Sequence, residues 1–143
     1  MRRGFTLMEA LLSIALIGVI ASIGIPIYQI FQNRNDLDIA AVTFVQSARR
    51  AQLLSRAVDG DERWGVRVDP GSITLFTGDD FPSRDQERDE VFDISGTISV
   101  SGMQETVFER FTGEPQATGT LTLTSINDET RNITINEKGR IEY

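Results

Sequence analysis

Residues 4–9, with the sequence Gly-Phe-Thr-Leu-Met-Glu, begin the stretch that decides the fold of this chain. Arg2 and Arg3 precede them, and the segment from Ala10 to Asn33 carries no charged side chain. A helix needs roughly 20 predominantly apolar residues to cross a hydrocarbon core of about 30 Å. The pattern therefore predicts a membrane-spanning helix, with residues 7–31 in lipid.

The charges that flank this segment predict its orientation. Basic residues tend to stay in the cytoplasm, so Arg2 and Arg3 place the remainder of the chain outside the cytoplasm. A cleaved secretory signal peptide is the first alternative, and it would end after about 7–15 apolar residues at a small-x-small site. Here the apolar run continues through Pro26 without an Ala-x-Ala element. A plain membrane anchor that does not assemble further is the second alternative.

Glu9 is an acid near the start of an otherwise apolar helix. A charged side chain costs on the order of 2.5–3.5 kcal/mol at the centre of a membrane helix by insertion scales, and less near the interface. The position of Glu9 near the interface reduces this penalty, but the carboxylate still favours a charged partner. The alternative is an acid that is solvated at the membrane surface.

Beyond the apolar segment, the helical pattern continues with a different character. Apolar residues recur at steps of three and four residues or their sums, which predicts a stripe that faces a packed core. We therefore predict one long helix over residues 5–58, apolar all round in its first half and amphipathic in its second. Arg49, Gln52 and Arg56 lie largely off the stripe. The stripe consists of Ile30, Leu37, Ala41, Phe44, Ala48, Ala51 and Val58.

Gly18 and Pro26 weaken the apolar half of this helix. Proline removes the amide that would bond the carbonyl of Ser22, and it presses against that carbonyl, so Pro26 predicts a kink. Glycine lowers helix propensity further. Inside a membrane, Ser22 and neighbouring helices can satisfy the freed backbone groups. An ordinary kinked membrane helix accounts for these residues.

Residues 59–143 are typical of a β-rich region, with short alternating runs separated by glycines. The alternation of Trp64, Val66 and Val68 predicts a strand, and Asp-Pro-Gly-Ser at residues 69–72 predicts a turn into a hairpin. Further strands are predicted at residues 91–93, 97–100, 106–111, 120–124 and 131–136. The expected aromatic core anchors, with an aromatic binding surface as the alternative, are Trp64, Phe76, Phe92, Phe108 and Phe111.

Composition limits the chemistry of the chain. It has 143 residues, a net charge of −7, and neither cysteine nor histidine. Disulfides and thiolate metal sites are thus excluded, and no motif pairs carboxylates for acid–base work, so we expect neither an enzyme nor a cofactor. The acid-rich loop at residues 79–90 offers oxygen ligands for calcium, but it lacks EF-hand spacing and contains Arg84 and Arg88. A solvated, flexible loop is the expected alternative.

The N-terminal residues resemble the type IV prepilins and the pseudopilins of type II secretion. The resemblance covers the basic leader, the six residues quoted first and the apolar helix that follows. It implies that a prepilin peptidase cuts between Gly4 and Phe5, that the new amine of Phe5 is methylated, and that Glu9 pairs with that amine on a neighbouring subunit. It also implies that the helix around Gly18 and Pro26 serves assembly and can loosen inside a filament.

Short motifs further along the chain resemble the minor pilin group, which contains the H-type minor pseudopilins of type II secretion and the FimT-type minor pilins. These motifs lie at residues 49–52, 64–66, 107–110, 119–123 and 133–140. Together with the N-terminus they imply a structural filament subunit. The implied partners are other pilin or pseudopilin subunits, prepilin peptidase, an inner-membrane assembly platform and membrane lipid.

The expected architecture is α+β and pilin-like. We predict a leader at residues 1–4, a long pilin helix at residues 5–58, and an antiparallel β-rich domain at residues 59–143. The implied location is the cytoplasmic membrane before assembly and a periplasmic or cell-surface filament afterwards.

DNA binding during natural transformation is an alternative function within the same resemblance. Some FimT-type pilins bind DNA through basic residues near the C-terminus, and the corresponding candidates here are Arg131, Lys138 and Arg140. Phosphate binding draws its affinity from several cationic contacts. Three cations on an acidic chain, with Glu142 beside them, disfavour nucleic acid as a partner.

Overall fold

The computed structural model describes residues 4–143, except for the side chains of residues 23–26. Arg2 and Arg3 of the predicted leader therefore lie outside the described residues. Helix α1 spans Leu7–Ala57 and is followed by antiparallel sheets, so the predicted α+β class with a long N-terminal helix is confirmed. The chain divides into two compact units, one ending at Gln32 and one comprising Asn33–Tyr143.

Local chemistry explains where α1 begins and ends. At the start, the Thr6 hydroxyl accepts a hydrogen bond from the Glu9 amide at 3.3 Å, which satisfies one of the free amides of the first turn. At the end, Val58 has φ 55° and ψ 40°. This left-handed conformation is unfavourable for an L-residue and stops the helix. A short 3₁₀ turn follows at Asp59–Asp61.

The described residues of the second unit form two four-stranded antiparallel sheets. The first sheet has the order β3-β2-β1-β5, and the second has the order β4-β6-β7-β8. A second 3₁₀ turn, Gln86–Arg88, precedes β3. The strands are β1 (Trp64–Asp69), β2 (Ser72–Thr77), β3 (Glu90–Asp93), β4 (Ser99–Gly102), β5 (Glu105–Phe108), β6 (Gly119–Thr124), β7 (Thr130–Ile135) and β8 (Ile141–Glu142).

The predicted hairpin is confirmed. β1 pairs with β2 from Trp64 opposite Thr77 to Asp69 opposite Ser72. Gly71 has φ 95° in the connecting turn, a conformation that glycine adopts without steric cost. The other five predicted strands also exist, with shifted ends. The segment predicted at residues 106–111 ends at Phe108, and β8 was not predicted.

The core of the second unit lies between α1 and both sheets. The predicted stripe is confirmed for its five central members, which are all at most 2% exposed. Ile30 is 52% exposed, so its assignment to the stripe is wrong; it belongs to the first unit. Val58 is half-buried. The core side chains that the two sheets contribute include Val66, Ile73, Leu75, Phe108, Leu121, Leu123, Ile133 and Ile135.

The aromatic anchors divide into three groups. Trp64, Phe76 and Phe108 are buried as predicted, and Phe92 is half-buried. Phe111 is 72% exposed, so its prediction as a core residue is wrong. It lies beyond the end of β5 and has φ 67°, so the alternation that the strand pattern assumed no longer applies to it.

Candidate processing and assembly segment

Gly4 and Phe5 precede the first residue of α1 and belong to no helix or strand. Phe5 is 83% exposed. A Cβ atom added to Gly4 would meet no atom within 4 Å. The peptide bond between the two residues therefore lies in an uncovered segment, where the described part of the chain offers no steric barrier to a peptidase.

Glu9 lies in the first turn of α1, where the positive end of the helix dipole favours a carboxylate. Its amide is held by Thr6, while its own carbonyl accepts from the Ser13 hydroxyl at 2.8 Å. All ion pairs within residues 4–143 lie between Arg34 and Glu142. The backbone of Glu9 is thus fixed, and its carboxylate has no charged partner among the described residues.

Most of the described side chains that flank Glu9 in the first unit are apolar, and they are uncovered. By length and composition, the helix is apolar enough to cross a membrane, and its described apolar side chains in this segment are not buried. Soluble proteins rarely expose a contiguous apolar surface of this kind unless it binds a partner or a membrane. The large apolar side chains of α1 in the first unit that are described and more than half exposed are Leu7, Met8, Leu11, Leu12, Ile14, Leu16, Ile17, Val19, Ile20, Tyr28, Ile30 and Phe31.

Two residues of this segment were singled out for assembly. Gly18 has open space where a side chain would begin, with no atom within 4 Å of an added Cβ. The side chain of Pro26 lies outside the described residues, so the predicted kink stays a prediction. The Ser22 hydroxyl donates to the carbonyl of Val19 at 2.8 Å, which places a polar side chain on the helix backbone just before the proline.

The residues proposed for DNA binding do not converge on one surface. Arg131 donates to Asp38 at 2.8 Å, at the beginning of β7. Lys138 and Arg140 lie beyond the other end of that strand, about 13 Å further along at the usual strand rise. Arg140 pairs with Glu142 at 2.8 Å. Two of the three cations are therefore already partnered by acids of the chain.

The acid-rich loop is packed through an aromatic side chain. The guanidinium groups of Arg84 and Arg67 lie 3.7 Å and 4.7 Å from the Phe81 ring centroid, and Phe81 contacts Phe76 edge-on at 5.4 Å. Arg84 also pairs with Asp89 at 2.8 Å. Within the described residues, no group of three or more acids is arranged to hold a metal ion.

Hydrogen bonds in this region shift the pKa of three ionisable groups. Hydrogen bonds to Asp79 and then Glu109 raise the pKa of Arg63, and a hydrogen bond to Asp69 raises that of Arg67. The hydroxyl and amide of Ser83 lower the pKa of Asp80. All three shifts are therefore caused mainly by hydrogen bonds to neighbouring residues of the same unit.

Sequence reasoning missed one polar contact of the second unit. Gln52, which was placed off the stripe and in the motif at residues 49–52, donates its amide hydrogens to the carbonyl oxygens of Gly113 at 2.9 Å and Gly139 at 3.1 Å. These partners are 61 and 87 residues away in sequence. The glycines at both contacts were the available signal, since close backbone approach often requires that residue.

Comparison with known proteins locates the family signal at the N-terminus. The prokaryotic N-terminal methylation motif matches residues 1–25. Comparison with curated proteins and with solved structures gives no significant match. The matched residues include the exposed Gly4–Phe5 peptide bond, Glu9 and the apolar start of α1. The chain therefore carries the N-terminal segment of a type IV prepilin-like protein, and this motif marks it as a pilin-like substrate of prepilin peptidase.

Proposed function

We propose that this chain is a minor pilin or pseudopilin, a structural subunit of a type IV pilus or of a type II secretion-like filament. The match of the methylation motif to residues 1–25 carries the proposal. The uncovered bond between Gly4 and Phe5 supports cleavage at that position. Methylation of the new Phe5 amine follows.

Glu9 supplies the assembly contact in this proposal. Its carboxylate meets the Phe5 amine of a neighbouring subunit once both lie among apolar helices. Removing one partner of a buried ion pair leaves an uncompensated charge, which costs about 3–5 kcal/mol. A subunit whose Glu9 carboxylate lies beside no Phe5 amine is therefore disfavoured in the filament. The ion pair thereby sets the axial offset between neighbouring subunits.

The apolar half of α1 provides the driving force. Its exposed side chains lie in the cytoplasmic membrane before assembly, with the β-rich unit outside the cytoplasm. In the filament, lipid contacts are exchanged for contacts with equivalent helices, where close packing stabilises the assembly. Gly18 permits close approach of a neighbouring helix, and Pro26 permits local loosening of the helix. The partners are other subunits, prepilin peptidase and the inner-membrane assembly platform.

The test uses the full chain co-expressed with a prepilin peptidase and an assembly platform. Mass spectrometry should show loss of residues 1–4 and the addition of one methyl group to Phe5. An intact Met1 in the presence of active peptidase would contradict the proposal.

Two variants separate processing from assembly. Glu9→Ala should be processed normally, while its incorporation into filaments should fall at least about tenfold, in line with the loss of a buried ion pair. Glu137→Ala, which removes an exposed acid in the turn after β7, is the matched control and should leave both readouts unchanged. Normal incorporation of the Glu9 variant would remove its assigned role.

A further inference from the structure

A surface groove of about 550 Å³ lies beside the C-terminal end of α1, within the second unit. Its floor is fixed by the two hydrogen bonds that Gln52 donates to Gly113 and Gly139. A Cβ atom at Gly139 would lie 2.2 Å from the Gln52 amide nitrogen, so the turn can approach the helix only because that residue is glycine. The remaining lining residues are Arg49, Leu53, Arg56, Arg140, Ile141 and Glu142.

The groove is basic on a chain whose net charge is −7. Three arginines line it, against the single acid Glu142. Arg49 has no ion-pair partner within residues 4–143. Among the described residues, Arg56 donates only its Nε hydrogen, to the Thr112 carbonyl at 2.9 Å. Arg140 is 74% exposed although it pairs with Glu142. Guanidinium donors in this number suit carboxylates, which they bind in bidentate geometry.

Apolar exposure beside these arginines favours a polypeptide ligand. Leu53 lines the groove and is 68% exposed. Phe111 is 72% exposed in a left-handed conformation, one residue from the carbonyl that Arg56 binds. Its amide is fixed to the Ser55 carbonyl at 3.2 Å. An exposed aromatic in a strained conformation costs stability, and such residues concentrate at binding sites. Dense polyphosphate is disfavoured because the rest of the chain is acidic.

The same chain carries a complementary surface. Asp80, Asp85 and Glu87 are exposed and form no ion pair within the described residues. Their loop is held in place by Phe81, whose amide donates to Glu105 at 2.9 Å and whose ring lies against two arginines. Because the loop is already packed, little conformational entropy is lost when it binds.

We propose that the basic groove receives the acidic loop of a second copy of this chain, with guanidinium groups of Arg49 and Arg140 bonded to carboxylates among Asp80, Asp85 and Glu87. The two surfaces differ, so the contact is head-to-tail and can repeat along an open filament. The inference deepens the proposed filament role and rests on it, because only a subunit of such an assembly needs a repeating contact.

Cysteine cross-linking tests the contact directly, since the full chain has no native cysteine. One tagged preparation carries Leu53→Cys in the groove and a second preparation carries Gln86→Cys in the loop. Both are mixed as full-length protein in detergent micelles and oxidised, and heterodimers are quantified by mass. Disulfides form only when Cα atoms come within about 7 Å. Ser99→Cys, exposed on β4 at the edge of the second sheet opposite β8, replaces Leu53→Cys as the control.

The heterodimer yield should exceed that of the Ser99→Cys control about tenfold. Combining Arg49→Glu with Arg140→Glu should lower the yield about tenfold, which corresponds to about 1.4 kcal/mol and is expected for the loss of two surface ion pairs. Adding Asp85→Arg and Glu87→Arg to the loop partner should restore it. The milder Arg49→Gln and Arg140→Gln pair repeats the test if charge reversal lowers the thermal stability of the protein.

A yield equal to the control, or one insensitive to both charge changes, overturns the proposal. So does binding of a labelled DNA duplex that is lost on Arg140→Glu while no heterodimer forms, because the groove would then be a nucleic-acid site. These outcomes are distinct from failure of the filament role, which appears as an unprocessed N-terminus. The micelle assay requires neither peptidase nor assembly platform.

Discussion

The two halves of α1 share one helical conformation but satisfy their apolar side chains in opposite ways. From Asn33 onward, one stripe of the helix is buried by strands of the same chain. Before Gln32, the apolar side chains that are described, which leave out those of residues 23–26, remain uncovered. Since burial of apolar surface is the main favourable term in folding, the second half is stabilised by its own unit. The first half requires lipid or other subunits.

The largest expected effect tests the self-sufficiency of the second half. Phe44 is fully buried in the core, so Phe44→Ala should destabilise the unit by about 3–5 kcal/mol. Leu12→Ala, in the uncovered half, should leave its unfolding unchanged, because Leu12 is 72% exposed. Urea unfolding monitored by fluorescence of Trp64, the only tryptophan in the sequence, measures both variants. A comparable loss in the Leu12 variant would show that the two halves are not energetically separate.

An added charge should weaken membrane insertion when it lies in the first half of α1 and should leave insertion unchanged when it lies in the second half. Ile17→Arg puts a guanidinium inside the apolar segment, at a cost of about 2.5–3.5 kcal/mol near the centre of a membrane helix. Ile39→Arg places the same charge at a residue that is 51% exposed on the second half. Alkaline extraction of membranes should release much more of the Ile17 variant than of the Ile39 variant. Equal retention would contradict the assignment of the first half to lipid.

The end of the second half offers a stabilising change. Val58 adopts a left-handed conformation with φ 55°, which costs an L-residue about 1–2 kcal/mol. Val58→Gly should therefore raise the free energy of unfolding by about 1 kcal/mol, the remainder being offset by the greater backbone entropy of glycine in the unfolded chain. Val42→Gly, at an exposed position inside the helix, should lower it by about 1 kcal/mol. Urea unfolding shows whether each variant raises or lowers the free energy of unfolding.

The same contrast explains which features could be predicted from sequence. Periodicity located the buried stripe from Leu37 to Ala51, because each core contact repeats every three or four residues. The same rule failed at Ile30, where the apolar pattern continues but no strand of the chain covers it. The prediction for Phe111 was wrong because β5 ends at Phe108 and the backbone at Phe111 is left-handed, which alternation does not encode.

The candidate sites also differ in whether they could be predicted from sequence. The processing segment is contiguous, so its residues were identified from sequence, and the motif match agrees with that segment. The basic groove could not be predicted, since Gln52 meets Gly139 across 87 residues. The separation of Arg131 from Arg140 depends on the course of β7 and the Asp38 ion pair, which are likewise long-range. β8 has only two residues, too few for a periodic signal.

The smallest predicted effect concerns carboxylates, whose hydrogen-bond and charge partners also differ between the two units. Glu9 has no charged partner among the described residues, whereas Asp80 accepts hydrogen bonds from the amide and the hydroxyl of Ser83. These bonds lower the pKa of Asp80 below its usual 3.8. A lowered folded-state pKa stabilises the protein above pH 3.8, and the contribution is lost as the pH falls through the folded-state value.

Asp80→Asn should therefore unfold at a slightly lower urea concentration than the parent at pH 6, and the difference should shrink as the pH falls below 3.8. Glu137→Gln, an exposed acid of the same unit, is the matched control and should track the parent throughout. A difference between Asp80→Asn and the parent that persists undiminished far below pH 3.8 would mean that the side chain acts through packing of the loop rather than through its charge.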